Sequence, residues 1–177
     1  MEYARHYSSP LGSMIMTSDG TALTGLWFDG QKYFGSDKDN GHGDASLSVF
    51  EETAKWLDIY FSGREPDFTP TLAACGTNFR RAVWDILLTI PYGQTMTYGE
   101  IAGIMAGKKE ISRMSAQAVG GAVGHNPISI IIPCHRVMGS GGNLTGYGGG
   151  IQRKIKLLEL EKVDTSDFFV PRRGTAL

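Results

Sequence analysis

The residues of this chain with the clearest chemical potential are Cys134 and His135, which are adjacent, and Glu161, which lies on the helix predicted after them. A cysteine is a good nucleophile only as the thiolate, and an imidazole that a carboxylate orients can take the thiol proton directly or through water. A lone cysteine is more commonly an inert buried thiol. The trio predicts a nucleophilic cysteine site, with a structural thiol as the alternative.

The residue spacing gives less support to a zinc site, a phosphate-binding loop or a cysteine hydrolase. Zinc sites use clustered Cys and His pairs, and Cys75, Cys134, His125 and His135 show no such spacing. A phosphate-binding loop needs a Gly-rich stretch that ends in Gly-Lys-Ser/Thr, which neither Gly-rich stretch of the second half has. We therefore expect no metal and no cofactor. A cysteine hydrolase stays open, although protease signatures around Cys134 are absent.

The composition is that of an ordinary globular protein. The 177 residues are 41% hydrophobic and carry 17 basic and 18 acidic side chains, which predicts one domain or two small ones. The longest apolar run, residues 128–133, is too short for a membrane helix, and the first residues lack a signal pattern. Two cysteines are too few for a disulfide framework, so we expect reduced thiols and a cytoplasmic location.

Charge divides the chain into two unequal halves. Residues 1–74 carry 5 basic and 11 acidic residues, a net charge of −6, whereas residues 75–177 carry 12 and 7, a net charge of +5. A basic second half suggests contact with a polyanion, and an uneven solvated surface is the alternative. Residues 63–76 have the Gly, Pro, Thr and Asp content of a linker. We therefore expect domains at 1–74 and 75–177.

The first half predicts a small α+β unit with a structural role. Residues 14–16 and 23–28 are β-prone runs on either side of a Ser-Asp-Gly turn signal, which predicts an antiparallel hairpin. A polar loop follows at 31–44. From 45 to 62, apolar residues recur at the spacing of one helix face.

The second half predicts a helix-turn-helix. Thr97 and Glu100 fit a capping box that opens a helix running to about Met105. After a polar turn at 107–112, residues 115–122 predict a second helix. That helix is rich in Ala and Gly, which predicts close approach either by a neighbouring helix or by a nucleic-acid groove.

Further elements surround this pair. A helix over 79–90 begins after Thr77 or Asn78, and the apolar run 128–132 suits a buried strand that would end just before Cys134. A Gly-rich loop then leads into a last helix that carries Glu161. Residues 163–177 are ambiguous, since Phe168 and its neighbours could pack back on the domain.

Four motifs of the second half are specific: the run from Ile132 to Val137, residues 118–122 with Asn126 and Pro127, residues 147–150 and residues 157–161. In these motifs the chain resembles the O6-alkylguanine-DNA alkyltransferases, also called methylated-DNA–protein-cysteine methyltransferases. The resemblance covers about residues 76–162, and the N-terminal SPLGSM and GLWFDGQ stretches are less specific. It implies an α+β fold with a ribonuclease-H-like N-terminal domain and a mostly helical, winged-helix DNA-binding domain.

This family resemblance implies DNA repair without a cofactor. The alkyl group of a flipped-out O6-alkylguanine, and possibly of O4-alkylthymine, would move once per protein molecule to the thiol of Cys134. His135 and Glu161 would form a water-linked proton relay. Asn126 would brace the turn of the active site, and Tyr98 would help to rotate the nucleotide and protonate the leaving base. The implied partner is double-stranded DNA, bound by a monomer without contact to a membrane.

The resemblance also implies residues that contact the base or the DNA. Tyr147 would line the pocket, Val137 would offer its backbone to the base edge, and loop amides would substitute for a serine that often stands where Gly148 does. Most members have an arginine where this chain has Gln117, so we expect Gln117 to fill the gap left by the flipped base. The full set is Arg80, Gly99, Arg113, Ala116, Gln117, Gly120, Arg136, Val137, Ser140, Tyr147 and Gly148.

Arg113, one turn earlier than Gln117, would attract phosphates.

Three rival functions remain distinguishable from the sequence. An alkyltransferase-like protein that flags lesions without reacting would lack the cysteine, which is present here as Cys134. A DNA-binding regulator would need an effector domain, for which this length leaves no room. A cysteine hydrolase would turn over repeatedly.

Overall fold

The computed structural model describes residues 2–32 and 46–171. These residues form two compact units. The first unit comprises the described residues up to Cys75 together with Pro127–Ile131, and the second comprises Gly76–Asn126 and the chain from Ile132 onwards. Most of the predicted polar loop at 31–44 lies outside the described residues. None of the helices described combines the length and apolarity that crossing a bilayer requires.

The first unit is a three-stranded antiparallel sheet with one helix. Strands β1 (Tyr3–Ser9), β2 (Gly12–Ser18) and β3 (Leu23–Phe28) pair in chain order, and helix α1 (Ser48–Phe61) contacts all three. The predicted β2–β3 hairpin is confirmed, as is the helix, which begins three residues later than predicted. Sequence analysis missed β1, because its residues are mostly polar and none is fully buried.

The β2–β3 turn shows why this hairpin forms. The side chain of Asp19 accepts hydrogen bonds from the backbone N–H groups of Thr21 and Ala22, both at 2.9 Å. Such local bonds satisfy the turn backbone, which is why Asp is favoured there. On the helix side, Phe50, Leu57 and Tyr60 are fully buried and form the core of the unit with residues of β2 and β3.

The second unit is mainly helical. Helix α4 packs against α2 and α3, and β4 and β5 pair in parallel. Together with the small sheet of the first unit, this arrangement confirms the predicted α+β fold class. The elements are α2 (Asn78–Leu87), β4 (Met96–Thr97), α3 (Tyr98–Lys108), α4 (Ala116–Gly124), β5 (Val137–Met138) and α5 (Ile151–Leu160).

Side-chain caps set the starts of three helices of this unit. The Thr77 hydroxyl accepts from the first turn of α2, and the Ser115 hydroxyl does the same for α4. At α3, Thr97 and Glu100 form the predicted capping box, in which each side chain bonds the backbone of the other. Helix α3 continues through Lys108, so the turn before α4 starts two residues later than predicted.

The predicted strand at 128–132 is wrong. Ile128 makes a single bridge to Leu26, after which the chain turns. Ile131 N donates to Ser129 O at 2.8 Å, and the residue between them, Ile130, has φ 69°. This is a three-residue γ-turn of the rare, strained form. The run is apolar because its isoleucines are buried, and apolarity alone cannot separate a strand from a buried turn.

A second three-residue turn delivers Cys134. Its N–H donates to Ile132 O at 2.8 Å, and Pro133 between them has φ −81° and ψ 64°, the common inverse γ-turn. Cys134–Arg136 then forms one 3-10 turn that leads directly into β5. Cys134 therefore begins a helical turn, rather than following a strand as predicted.

The segment after α5 packs back on the second unit. Phe168 packs against a buried cluster of Met138, Leu144 and Leu158. Phe169 forms backbone hydrogen bonds with the Gly-rich loop, donating to Gly142 O and accepting from Leu144 N, while its own ring stays half exposed. This resolves the ambiguity of residues 163–171.

Candidate active site

The buried carboxylate of Glu161 is the centre of the site. It directly follows α5 and is 2% exposed. Its Oε1 lies 2.6 Å from Nε2 of His135, and its Oε2 accepts from Nε of Arg136 at 2.9 Å and from Gly93 N at 3.1 Å. Burial alone would raise the pKa of Glu161, but the bonds and charges of His135 and Arg136 lower it to about 2. The carboxylate is therefore ionised at neutral pH.

Arg136 belongs to this buried network. Besides Glu161, its guanidinium donates to Ile90 O at 2.7 Å, and it lies 5.8 Å from the ring centre of Tyr92. The residue is only 9% exposed. Arg136 was expected to contact substrate or DNA; its charge is engaged by Glu161 inside the second unit, and a contact with DNA stays a prediction.

His135 is fully buried and holds the Glu161 carboxylate through Nε2. Burial lowers the pKa of His135, and the opposing effect of Glu161 does not overcome it. The neutral imidazole then carries its proton on Nε2, which donates to Glu161, and Nδ1 is the basic nitrogen. The pair is thus poised to accept one proton at Nδ1, with the carboxylate stabilising the imidazolium that forms.

Cys134 is 6% exposed, and its sulfur is held by Asn126. Asn126 Nδ2 donates to Cys134 Sγ at 3.1 Å and to Ile132 O at 2.8 Å. Burial raises the pKa of the Cys134 thiol, and the bond from Asn126 and the charge of Lys154 act in the opposite direction. The resting group is a thiol, so a base must take its proton when it reacts.

Sequence analysis missed Lys154, which is fully buried on α5. Its ammonium donates to the carbonyls of Val137 and Thr145. Burial lowers its pKa to about 8, against the opposing influence of Cys134. A signal was available, because Lys154 stands three residues after Ile151, inside the apolar spacing of the helix, where a lysine is unusual unless it is paired.

Two tyrosines lie within electrostatic reach of the sulfur. Burial raises the pKa of both Tyr98 and Tyr147, and the charge of Cys134 adds to the effect. The Tyr98 hydroxyl donates to the carbonyls of Thr145 and Gly146, both at 3.2 Å. The Tyr147 hydroxyl is buried with no hydrogen-bond partner among the described residues. Both phenols stay protonated and can act as donors.

Three of the residues expected to contact DNA share an open groove. Gly99, Arg113 and Ala116 line it, along one side of α3 and the turn before α4, with a volume of about 650 Å³. Gln117 is exposed on the first turn of α4. Arg113 lies before the N-cap of α4 rather than one helical turn before Gln117, so that expectation is corrected.

The remaining expected residues are less closely grouped. Gly120 on α4 faces Tyr98, since a side chain added there would begin 3.8 Å from the ring. Ser140 is exposed in the Gly-rich loop, and Gly148 is half-buried in the same loop. Arg80 is half-buried on α2, and its N–H completes the cap of that helix. Val137 is buried in β5, where its carbonyl accepts from Lys154.

The side chains near Cys134 form no metal-binding arrangement. Across residues 2–32 and 46–171, no group of three or more His, Cys, Asp and Glu residues is arranged to hold a metal ion. Most of the polar groups described above are instead engaged by one another or by backbone carbonyls. The arrangement can deprotonate a thiol, hold a neutral donor near it and stabilise the charge that results.

Comparison with known proteins assigns the family. The DNA-binding domain of 6-O-methylguanine DNA methyltransferase matches residues 78–163, and its ribonuclease-like domain matches residues 3–74. A methylated-DNA–protein-cysteine methyltransferase from Mycobacterium leprae is 45% identical over 166 residues, covering 92% of this chain and 93% of that protein. One from Haemophilus influenzae is 41% identical over 166 residues, covering 93% and 89%.

Solved structures agree with this assignment. The crystal structure of Mycobacterium tuberculosis O6-methylguanine methyltransferase has a TM-score of 0.78 at 41% identity, covering 98% of this chain and 97% of that one. A structure of the M. tuberculosis protein OGT in complex with DNA has a TM-score of 0.79 at 44% identity, covering 90% and 92%. The chain belongs to the 6-O-methylguanine DNA methyltransferase family, which confirms the family expected from the resemblance.

Replacing Glu161 by Gln tests the buried network. The variant leaves the Arg136 guanidinium buried without its counter-charge, so we expect a loss of about 3–5 kcal/mol in the free energy of unfolding at pH 7. Because the folded pKa of Glu161 is lowered to about 2, its stabilisation is present above the unfolded pKa of 4.5 and is lost as pH falls from there to about 2. Urea unfolding at several pH values should show this acid loss in the wild type and less of it in the variant.

Glu159→Gln is the matched control, because Glu159 is exposed on the same helix. It should leave the free energy of unfolding within about 0.5 kcal/mol of the wild type. Equal losses in both variants would contradict a special role for the Glu161 carboxylate.

Replacing Lys154 by Met tests the charge behind the sulfur. The Lys154 ammonium lowers the pKa of the Cys134 thiol, so its removal should move the pH profile of Cys134 alkylation by iodoacetamide to higher pH. The rates should be measured in a Cys75→Ser background, because Cys75 is an exposed free thiol. Lys156→Met, an exposed neighbour on α5, should leave the profile in place. A profile that moves equally in both variants, or in neither, contradicts the assignment.

Proposed function

We propose that this chain repairs DNA by moving the alkyl group from O6 of an alkylated guanine to Cys134, once per protein molecule. The observation that carries the proposal is the geometry around the thiol: Asn126 holds Sγ, and the adjacent His135 is paired with an ionised Glu161. The relatives are named methylated-DNA–protein-cysteine methyltransferases, and the M. tuberculosis OGT structure was solved in complex with DNA.

The first requirement of this reaction is removal of the thiol proton. At an ordinary pKa of ~8.5, about 3% of a thiol is thiolate at pH 7, and burial makes that fraction smaller for Cys134. We propose that His135 Nδ1 takes the proton through one water molecule while the S–C bond forms. Glu161 stabilises the resulting imidazolium without taking the proton itself. For a thiol with the ordinary pKa, full ionisation gains only about 30-fold in thiolate, and in Cys134 part of the gain is offset by the cost of ionising a buried group, so the leaving group needs help as well.

The second requirement is a proton for the leaving base. As the S–C bond forms, the C–O6 bond breaks and its electron pair stays on guanine, which becomes a good leaving group only when its ring gains a proton. Tyr98 is proposed as the donor, because its hydroxyl is protonated and oriented by two backbone carbonyls. The proton on His135 then restores that of Tyr98. The thioether product has no route back to the thiol, so each molecule reacts once.

The third requirement is access to a base that lies inside the duplex. The alkylated carbon is unreachable within the stack, so the nucleotide must be flipped out. We propose that residues 75–177, with a net charge of +5, bind double-stranded DNA as a monomer, and that residues 1–74 are structural. Helix α4 exposes Ala116 and Gln117, which suit close approach to a groove. A free thiol at Cys134 fits a reducing, cytoplasmic compartment.

Methyl transfer tests the proposal directly. We expect that incubation with duplex DNA bearing O6-methylguanine adds one methyl group in place of one hydrogen, confined to Cys134, as read by intact mass and peptide mapping. Cys134→Ser should gain nothing, and Cys75→Ser should gain as much as the wild type. No gain, a gain at another residue, or more than one guanine repaired per molecule would overturn the proposal.

The exposed end of α4 gives a second test. We propose that Gln117 fills the gap left by the flipped base and that Arg113 attracts phosphate, so Gln117→Ala should slow repair of duplex DNA with little change in affinity for undamaged DNA. Arg113→Ala should instead weaken DNA binding uniformly and reduce the salt dependence of binding by about one phosphate contact. If Gln117→Ala leaves the repair rate unchanged while Arg113→Ala slows it, the two roles are reversed.

A further inference from the structure

A segment that lies close before Cys134 in the sequence belongs to the first unit, whereas Cys134 itself belongs to the second. The segment Pro127–Ile131 is part of the first unit, although Asn126 and Ile132 on either side of it are part of the second. Two backbone hydrogen bonds hold the segment on β3: Leu26 N donates to Pro127 O and Ser129 N donates to Leu26 O, both at 2.8 Å. The first unit therefore holds the chain three residues away from the sulfur-bearing residue.

Gln31 ties this segment to the end of β3 through its side chain. Ser129 Oγ donates to Gln31 Oε1 at 3.0 Å, and Phe28 N donates to the same oxygen at 3.2 Å. Gln31 N in turn donates to Phe28 O at 3.0 Å. Gln31 is 7% exposed and Ser129 is fully buried, so losing the acceptor would leave a buried hydroxyl unsatisfied.

The segment held by Gln31 stores backbone strain. Ile130 is a β-branched residue at φ 69°, a conformation that costs of the order of 1–3 kcal/mol and persists only where the surroundings enforce it. The backbone of Ser129 closes this turn by accepting from Ile131 N, while its hydroxyl is held by Gln31. The Gln31–Ser129 bond is thus one of the contacts that keep the strained turn in place.

The two residues that flank the segment, Asn126 and Ile132, are joined through the backbone carbonyl of Ile132, which also accepts a hydrogen bond from Cys134. Ile132 O accepts from Asn126 Nδ2 and from Cys134 N, both at 2.8 Å. The same Asn126 amide donates to Cys134 Sγ at 3.1 Å. A shift of the strained turn therefore moves Ile132 O, and with it the two hydrogen bonds that set the position of the thiol.

We propose that Gln31 is a positioning residue for Cys134, acting through the Ser129 hydroxyl and the turn at Ile130. It touches neither the substrate nor the sulfur. The proposal deepens the proposed function, because it concerns the thiol that would accept the alkyl group, but it can be measured with a reagent that needs no DNA.

The experiment compares alkylation of Cys134 by iodoacetamide across pH in the Cys75→Ser chain. Gln31→Met keeps the side-chain volume and removes the acceptor. We expect it to slow alkylation at neutral pH about tenfold, because a weaker bond from Asn126 to the sulfur leaves less of Cys134 as the reactive thiolate. The pH profile should also move upward, because the bond from Asn126 that favours the thiolate is weakened. Ser129→Ala should have a smaller effect in the same direction.

The double variant Gln31→Met with Ser129→Ala should be no slower than Gln31→Met alone, because the two residues act through one bond. Thr24→Val is the matched control. It removes the partly buried hydrogen bond of 2.8 Å between the hydroxyls of Thr17 and Thr24, which lies elsewhere in the same sheet. Two results overturn the proposal, whatever the melting temperatures of the variants. The first is a double variant in which the losses in alkylation rate add; the second is an unchanged alkylation rate and pH profile in both Ser129→Ala and Gln31→Met. If Gln31→Met does not fold, the proposal is decided by comparing the alkylation rate and pH profile of Ser129→Ala with those of Thr24→Val.

The outcome for Gln31 is separable from that for the proposed function. Failure of the wild-type protein to take a methyl group from duplex DNA would reject alkyl transfer and leave the iodoacetamide comparison intact. Normal methyl transfer with no effect of Gln31→Met or Ser129→Ala on alkylation would reject the positioning role alone.

Discussion

A carboxylate that is buried and still ionised is the constraint around which the second unit is organised. Glu161 can keep its charge in that environment only because His135, Arg136 and the backbone of Gly93 all donate to it. Glu161 and its partners come from three places in the sequence: the end of α5, the 3-10 turn of Cys134–Arg136 and the turn after α2. One ion network therefore fixes the orientation of the imidazole and the path of the chain beside it.

The environment of the sulfur follows from the same low-dielectric interior. Burial favours the neutral thiol, whereas Asn126 and Lys154 provide a hydrogen bond and a positive charge that favour the thiolate. The thiol is thus neutral at rest and can ionise when a base accepts its proton. Neutral tyrosines within reach of the charge complete a site that holds proton donors and a proton acceptor close together.

The two units interleave along the chain, so that a segment of the first unit lies close in sequence to Cys134. The chain leaves the second unit after Asn126, packs along β3 for five residues and returns at Ile132. Paired three-residue turns, centred on Ile130 and Pro133, complete this return within a few residues of Cys134. Such short turns suit this task, because they leave the following residue little freedom.

The sequence by itself determined the elements that depend on local chemistry. Helix starts at Thr77, Thr97 and Ser115 were predictable because a capping hydroxyl and the N–H that it accepts from lie within three residues. The β2–β3 hairpin was predictable for the same reason, from the turn at Asp19. Cys134 and His135 were readable as a reactive pair because they are adjacent, and the family was readable because short contiguous runs such as residues 132–137 carry the resemblance.

Only the tertiary structure decided which groups those residues meet. The burial of Lys154 and Arg136, the turn in place of a strand at 128–132 and the bond between Gln31 and Ser129 all depend on partners far away in sequence. From the sequence alone, a charged side chain is predicted to face solvent and a run of isoleucines is predicted to form a strand, because the distant partners are not known. The physical reason is that burial and long-range hydrogen bonds are properties of the folded chain, and spacing along the sequence does not encode them directly.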